Sequence, residues 1–327
     1  MKRITTRLAN SAPKIRLDDY LSEWLPTAFG KPVPKSKVRT LILSGAVYLN
    51  RHRNKIPSTI IFAGAVLEVY YDESKLALSD HQSAAPLSVL KDDKILFEDE
   101  WLIIINKDPG IPTQPTIDPN RANLFDLTKQ LLSRRGEKNR PEPYLGMHHR
   151  LDRDTSGIVM FTKKEEANKG VSELFTKHLI QKTYQCLVWR TPQAPALKSD
   201  ERFEVKNFLG RISAKNENSR FGSVKSNGDP AHTDFRVLEV FREVYWLEAK
   251  PKTGRTHQIR VHTSEMGLPI MGDPQYFPAN VFPMIKAPRL LLHAYQLDFA
   301  HPISGAPMKI EAPLPEDFFK VLGNLKS

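Results

Sequence analysis

Cysteine is almost absent: Cys186 stands alone in 327 residues. A lone thiol excludes an intrachain disulfide framework and any structural zinc site built on cysteine pairs. Long apolar runs are missing too. No stretch approaches the ~20 residues a membrane-spanning helix needs, and the basic segment before Pro13 lacks the apolar centre of a secretory signal. A soluble cytoplasmic protein is therefore expected. Acidic residues fall short of basic ones, 37 against 48, leaving a formal net charge of +11.

What is present is globular material. Hydrophobic residues make up 40% and charged residues 26%, which suits a packed core and excludes a disordered or fibrous chain. The length fits one large domain with a smaller companion. The basic surplus is uneven, since residues 1–70 hold twelve Lys or Arg against four Asp or Glu. A surplus concentrated in the first fifth of the chain reads as a contact surface for a polyanion, nucleic acid before membrane.

Residues 16–71 read as one small unit. Leu17, Leu21 and Trp24 or Leu25 share a helical face after Arg16, and Val38, Leu41 and Ile42 mark a second helix that stops at Gly45. Lys35, Lys37 and Arg39 cluster at the start of that second helix, and Ala46–Asn50 and Ala65–Tyr71 read as strands. The steps Arg16–Leu21 (RLDDYL) and Gly45–Asn50 (GAVYLN) resemble the S4 RNA-binding domain. That resemblance implies an RNA-binding role for Arg16, Lys35, Lys37 and Arg39 in a domain spanning residues 1–71. Residues 72–93 are polar and aperiodic, a linker.

From Lys94 onward the pattern becomes short strands with few helices. Ile95–Phe97 and Trp101–Asn106 form a hairpin, and Gly157–Thr162, Tyr184–Trp189, Thr233–Phe241, Tyr245–Lys250 and Leu290–Phe299 read as further strands. Leu124, Leu127, Leu131 and Leu132 mark a helix that Asn123 can cap, and Ala167, Val171, Leu174 and Phe175 mark another. Residues 94–327 are therefore expected to form an α+β domain on a mixed, mainly antiparallel sheet. Residues 191–232 read as a loose, insertion-rich segment, and Gly254–His262 as strand or turn.

Asp152 lies in a polar run just before a strand, where a turn can hold it at a cleft. A carboxylate there can bind a metal together with Asp154, act as a general base, or attack as a nucleophile. It can equally be a turn-capping aspartate, because Asp-x-x-Thr-Ser-Gly is ordinary turn chemistry. The histidines 148, 149, 257, 262, 293 and 301 form no HExxH and join no cysteine ligand set. In an extended strand, His257 and His262 would face opposite ways, so no metal site is expected.

His149–Gly157 (HRLDRDTSG) and Gly254–His262 (GRTHQIRVH), read with Gly267–Asp273 (GLPIMGD), Lys182–Tyr184 and Arg289–Ala294, resemble RluA-type pseudouridine synthases. The resemblance covers roughly residues 94–312 in order. It implies that Asp152 is a nucleophile toward uridine, attacking at the sugar C1′ or the base C6. It implies that Arg260 pairs with that carboxylate in a bidentate way, that Tyr184 stacks on the target base, and that Arg150 fills the space left when the base flips out. No cofactor is implied. The expected partner is structured RNA, ribosomal before transfer RNA, bound by a monomer. Two other readings remain open at this point: a non-catalytic RNA-binding or ribosome-assembly factor of the same fold, and a metal-dependent nuclease using Asp152, Asp154 and histidines.

Overall fold

The computed structural model describes residues 2–9, 14–30, 33, 35–43, 45–54, 56–71, 89–116, 121–136, 142–213, 219–278 and 286–326. The chain divides into two compact units, Met1–Ser88 with Ile117–Arg121, and Val89–Thr116 with Ala122–Ser327. Most of the predicted linker, residues 72–88, lies outside the described residues. Among the described residues, no helix is long and apolar enough to cross a membrane.

In the first unit, strands β1 (Lys2–Arg7), β3 (Val47–Leu49), β4 (His52–Asn54) and β6 (Val66–Tyr71) form an antiparallel sheet in the order β1-β6-β3-β4. Strands β2 (Ile15–Arg16) and β5 (Ile60–Ile61) form a separate short pair. Helices α1 (Leu17–Phe29) and α2 (Lys35–Leu43) bury the expected stripe: Leu17, Leu21 and Leu25 meet Val38, Ile42, Val47, Leu67 and Val69 in one core. Strand β1 was not foreseen. Its six residues pair along the whole of β6, but its sequence, KRITTR, offers only Ile4 as an apolar marker.

Of the basic residues that the S4 resemblance singles out, Arg16, Lys35 and Arg39 are tied to acidic ones. Asp18, fully buried, accepts from Nε and Nη2 of Arg16 at 3.0 and 3.2 Å and of Arg39 at 3.0 and 2.9 Å. Burial disfavours its carboxylate, yet the two guanidinium groups outweigh that and hold its pKa below the usual value. Lys35 pairs with Asp19 at 2.5 Å, and Lys37 is half-buried. Arg16 and Arg39 thus fasten the start of α1 to α2.

The second unit is built on one eleven-stranded sheet, and its class is α+β as expected. Its strands are β7 (Ile95–Glu98), β8 (Leu102–Lys107), β9 (Gly146–Met147), β10 (Ser156–Thr162), β11 (Gln181–Trp189), β12 (Arg202–Arg211), β13 (Phe221–Ser223), β14 (Asp229–Phe241), β15 (Val244–Pro251), β16 (Leu292–Ala300) and β17 (Pro307–Glu311). The main order is β13-β12-β14-β15-β11-β16-β10-β8-β7, with β9 on β10 and β17 on β16. Every pair is antiparallel except β10 with β16.

Strands β8 and β10 are apolar on both faces because helices cover both. Ile103, Ile105, Val159 and Phe161 pack on Leu124, Leu127 and Leu131 of α3 (Leu124–Arg135). Leu102, Ile104, Ile158 and Met160 pack on Val171 and Leu174 of α4 (Glu166–Thr176). A two-faced strand in a sheet reads as a continuous hydrophobic run. Asn123 caps α3 as expected, its side chain accepting from Asp126 N at 3.0 Å.

Two sequence expectations are corrected here. The segment 191–232 is not loose, since it contributes the ten-residue strand β12 and the short β13. Phe203 and Val205 of β12 pack against the central core, and their alternation with the exposed Arg202, Glu204 and Lys206 is the period of two of a half-buried strand, a signal outweighed in the sequence by the polar composition around it. Nor is 254–262 a strand. Helix α5 (Gln258–Glu265) begins there, with every residue from Gln258 to Thr263 buried. Its polar residues Gln258, Arg260 and His262 are buried with the apolar ones, so no solvent face marks a helical period, and their alternation with Ile259 and Val261 imitates a strand.

Candidate active site

A single row crosses the sheet beneath the site. Lys107 of β8 pairs with Gly157 of β10, Gly157 with Ala294 of β16, Ala294 with Tyr184 of β11, and Tyr184 with Ala249 of β15. Gly157 has φ +111°, and a Cβ there would lie 2.2 Å from the Ala294 carbonyl oxygen. Only glycine lets the two strands meet so closely. The register slips between Thr183 and Tyr184, and a bulge of this kind re-aims the side chain that follows it.

The loop before β10 is fastened at each side of Asp152. The Thr113 hydroxyl accepts from Leu151 N at 3.1 Å and donates to Leu151 O at 2.8 Å. The Arg153 carbonyl accepts from Gly110 N and from Lys107 Nζ, both at 2.9 Å. Lys107 is buried and donates also to the carbonyls of Asp108 and Ile111. Burial pushes its ammonium down to about 7, against the pull of Asp154, Asp152 and Asp108. His149 stacks on Phe175 of α4 and takes the Met160 N–H on Nε2 at 2.8 Å. Burial, with Lys182 and His148 adding to it, lowers that imidazole to about 3, so it stays neutral and acts as an acceptor.

The carboxylate of Asp152 is thereby presented to a cavity of about 430 Å³, lined also by Arg150, Lys182, Tyr184, His257 and Arg260. Arg260, on the buried helix α5, donates from Nη1 to Asp152 Oδ2 at 3.1 Å. The expected bidentate pairing goes elsewhere. Arg260 gives Nε and Nη2 to Asp273 at 2.7 and 2.9 Å, and Asp273 also accepts from the backbone N–H of Gln275 and Tyr276. Geometry explains this: Asp273 is wholly buried and can meet the fork edge-on, whereas Asp152 reaches only its far nitrogen. Burial works against the charge of Arg260, but Asp273 and then Asp152 outweigh it and raise its pKa.

Tyr184 is half-buried in the cavity wall. Burial, and then the charge of Asp152, push its phenol above the usual range, so it works as a neutral ring with a hydroxyl. Arg150 is exposed at the rim and makes no hydrogen bond or ion pair with the described residues. Asp154 is engaged by Arg153 through two bonds of 2.8 Å, not paired with Asp152.

The two histidines of the second motif part company. His257 faces the cavity, while His262 binds Thr233 and Asn207 on the other side of α5. Among the described residues, the one cluster with metal-ligand spacing is Glu204, His232 and Asp234. It lies outside the Asp152 cavity and is balanced by Lys206 and Lys252. Asp273, His257, Tyr276 and Lys107 were missed as site residues. A usable signal existed for Asp273, because an aspartate ending the apolar run Leu268–Met271 has to be paired if it is buried.

A model of the RNA pseudouridylate synthase family matches residues 101–265. The chain is 32% identical over 323 residues to ribosomal large subunit pseudouridine synthase C of Vibrio vulnificus (strain CMCP6), covering 95% of this chain and 93% of that one. It is 32% identical over 322 residues to the synthase C of Escherichia coli (strain K12), with the same coverage of 95% and 93%. Among solved structures, human RNA pseudouridylate synthase domain containing 4 superposes with a TM-score of 0.57 at 24% identity, over 72% of this chain and 93% of that one; this likeness speaks for the fold. The chain belongs to the RNA pseudouridylate synthase family, isomerases that convert uridine to pseudouridine in RNA.

Proposed function

We propose that this protein isomerises uridine in large-subunit ribosomal RNA, with Asp152 as the nucleophile. The observation that carries the reading is the Asp152 carboxylate facing a cavity, held by Arg260 and flanked by Tyr184. The ribosomal choice rests on the names of the relatives, which cover almost the whole chain.

Asp152 attacks C1′ of the ribose or C6 of the base, and the C1′–N1 bond breaks. The uracil turns and C5 bonds to C1′; the Asp152–C1′ bond breaks in that step, or, after attack at C6, the Asp152–C6 bond breaks once C5 has bonded. The C5 proton leaves, N1 gains a proton, and the Asp152 carboxylate is regenerated. The reaction is an isomerisation and balances without a redox partner. Its physical needs are a positioned carboxylate and a pocket that excludes water until C5 has bonded. Tyr184 stacks on the uracil, a contact of ~1–3 kcal/mol per base. Arg150, at the rim, enters the space the flipped nucleotide leaves.

We assign residues 1–71 to an S4-like domain, 72–93 to a linker and 94–327 to the catalytic domain. Lys35 and Lys37 hold RNA by its backbone. Arg16 and Arg39 share their charge with Asp18, so their contribution to RNA is smaller than a count of basic residues suggests. No observation favours the non-catalytic alternative.

The test is pseudouridine mapping by carbodiimide-dependent reverse-transcription stops in a strain lacking the protein. Wild type should restore one or a few lost large-subunit sites, and Asp152→Ala should restore none. Sites that persist in the deletion strain, or full restoration by Asp152→Ala, would overturn the proposal.

A further inference from the structure

We infer that His257 is a positioning residue for Asp152, and that its Nε2–H closes on Oδ2 so that Oδ1 is the oxygen that attacks. This rests on the reading of Asp152 as nucleophile.

The tautomer follows from one hydroxyl. Tyr276 Oη accepts the Phe221 N–H at 2.9 Å and lies 2.9 Å from His257 Nδ1. Among the described residues it has no other hydrogen-bond partner. If Nδ1 carried the proton, the Tyr276 O–H would have no acceptor. With Tyr276 donating to Nδ1, both groups are satisfied, and the imidazole proton sits on Nε2.

That nitrogen is 3.7 Å from Asp152 Oδ2, just beyond hydrogen-bond reach. The same oxygen already receives Arg260 Nη1 at 3.1 Å, while Oδ1 makes no hydrogen bond among the described residues. Catalytic hydrogen bonds are often long before substrate binds and tighten in the complex. A donor on each side of Oδ2 fixes the carboxylate plane and leaves the lone pairs of Oδ1 facing the cavity.

The ring is held firmly for this task. It meets Phe221 and Tyr276 edge-to-face at 5.7 and 5.6 Å. Its backbone, at the start of α5, has φ +57°, a left-handed conformation that Asn, Asp and His adopt more readily than other non-glycine residues. The charged groups around it are Asp152, Asp273, Arg260 and Arg150, and burial lowers its basicity, which keeps the ring neutral.

Two substitutions separate position from mere packing. His257→Asn tolerates the left-handed backbone and reaches Tyr276, but places no donor at Asp152. His257→Gln places an amide N–H near the position of Nε2. Single-turnover conversion of an unmodified large-subunit ribosomal RNA transcript carrying the mapped uridine should slow at least tenfold in the Asn variant. RNA affinity should stay within twofold, and the Gln variant should recover at least threefold of the lost rate. Wild-type rate in His257→Asn, equal slowing in both variants, or a loss confined to affinity would each overturn the inference. Asp152→Ala runs in parallel. Turnover by that variant would sink the nucleophile reading itself. An inert Asp152→Ala beside a fully active His257→Asn would sink only the role given to His257.

Discussion

Arg260 and Asp273 meet edge to edge, with Nε and Nη2 bonded to the two carboxylate oxygens at 2.7 and 2.9 Å. Asp273 therefore sets the plane of the guanidinium, and Asp152 receives the one nitrogen left over. Asp273→Asn keeps the shape but removes a charge and turns one acceptor into a donor facing the fork. Breaking a buried pair from one side costs ~3–5 kcal/mol, and an isosteric amide should stay near the lower figure. Urea unfolding should show that loss, and turnover should fall ~10-fold or more with KM little changed. An Asn variant as stable and active as wild type would mean that Asp273 does not aim Arg260.

The role of Tyr184 divides into ring and hydroxyl. Its phenol is pushed up by burial and then by Asp152, so no phenolate is available to it at neutral pH. Tyr184→Phe should leave the RNA dissociation constant within about twofold, because the stacking face remains. Tyr184→Leu should weaken binding by ~1–3 kcal/mol, about 5- to 150-fold. Equal affinities for the Phe and Leu variants would exclude stacking on the target base.

Acid should destabilise the second unit through histidines buried as neutral acceptors. His149 is lowered to about 3, and His262 and His293 to about 4, in each case chiefly by burial. The unfolded chain binds protons on these rings below about 6.5, whereas the native chain does not until 3 to 4. Their contribution is full above pH 6.5 and is lost as pH falls toward the native values, with a limiting slope of ~1.4 kcal/mol per pH unit per ring. His149→Gln, whose amide oxygen can still accept from Met160 N, should flatten the fall in unfolding free energy between pH 6.5 and 5. A slope unchanged by that substitution would show that the native His149 ring takes up its proton in this window as the unfolded chain does.

Much of this was legible in the sequence where burial is one-sided or complete over a long run. Leu17, Leu21 and Leu25 announce α1, and Ile103–Ile105 and Ile158–Phe161 announce strands covered on both faces. Helix α5 was illegible because its polar residues Gln258, Arg260 and His262 are buried and alternate with Ile259 and Val261 as in a strand, whereas the alternation of Arg202, Glu204 and Lys206 with Phe203 and Val205 did carry a strand signal for β12. At the site, Asp152, Arg260, Tyr184 and Arg150 were readable from motif order, and the structure brings all four to one cavity. The division of Arg260 between two carboxylates was not readable, since it depends on how the chain turns between residues 260 and 273. The tautomer of His257 depends on the N–H of Phe221, set by strand β13 far away in sequence.

The basic residues of the first unit should separate into two kinds on substitution. Arg39 joins α2 to the buried carboxylate of Asp18, and Arg16 holds the same group from the other side. Arg39→Ala leaves Asp18 with one partner, so the cost should be about 2 kcal/mol, below that of a fully broken buried pair. Lys35 is more than half exposed, and its pair with Asp19 is a surface contact worth at most ~1 kcal/mol. Lys35→Ala should therefore leave thermal unfolding almost unchanged. If Lys35 contacts a phosphate, the same substitution weakens RNA binding and lowers the salt slope of log K by ~0.7–0.9. Unfolding curves and salt titrations on both variants read the two effects apart. A salt slope identical to wild type in Lys35→Ala, or unchanged stability in Arg39→Ala, would move the RNA contact or the structural clasp to other residues.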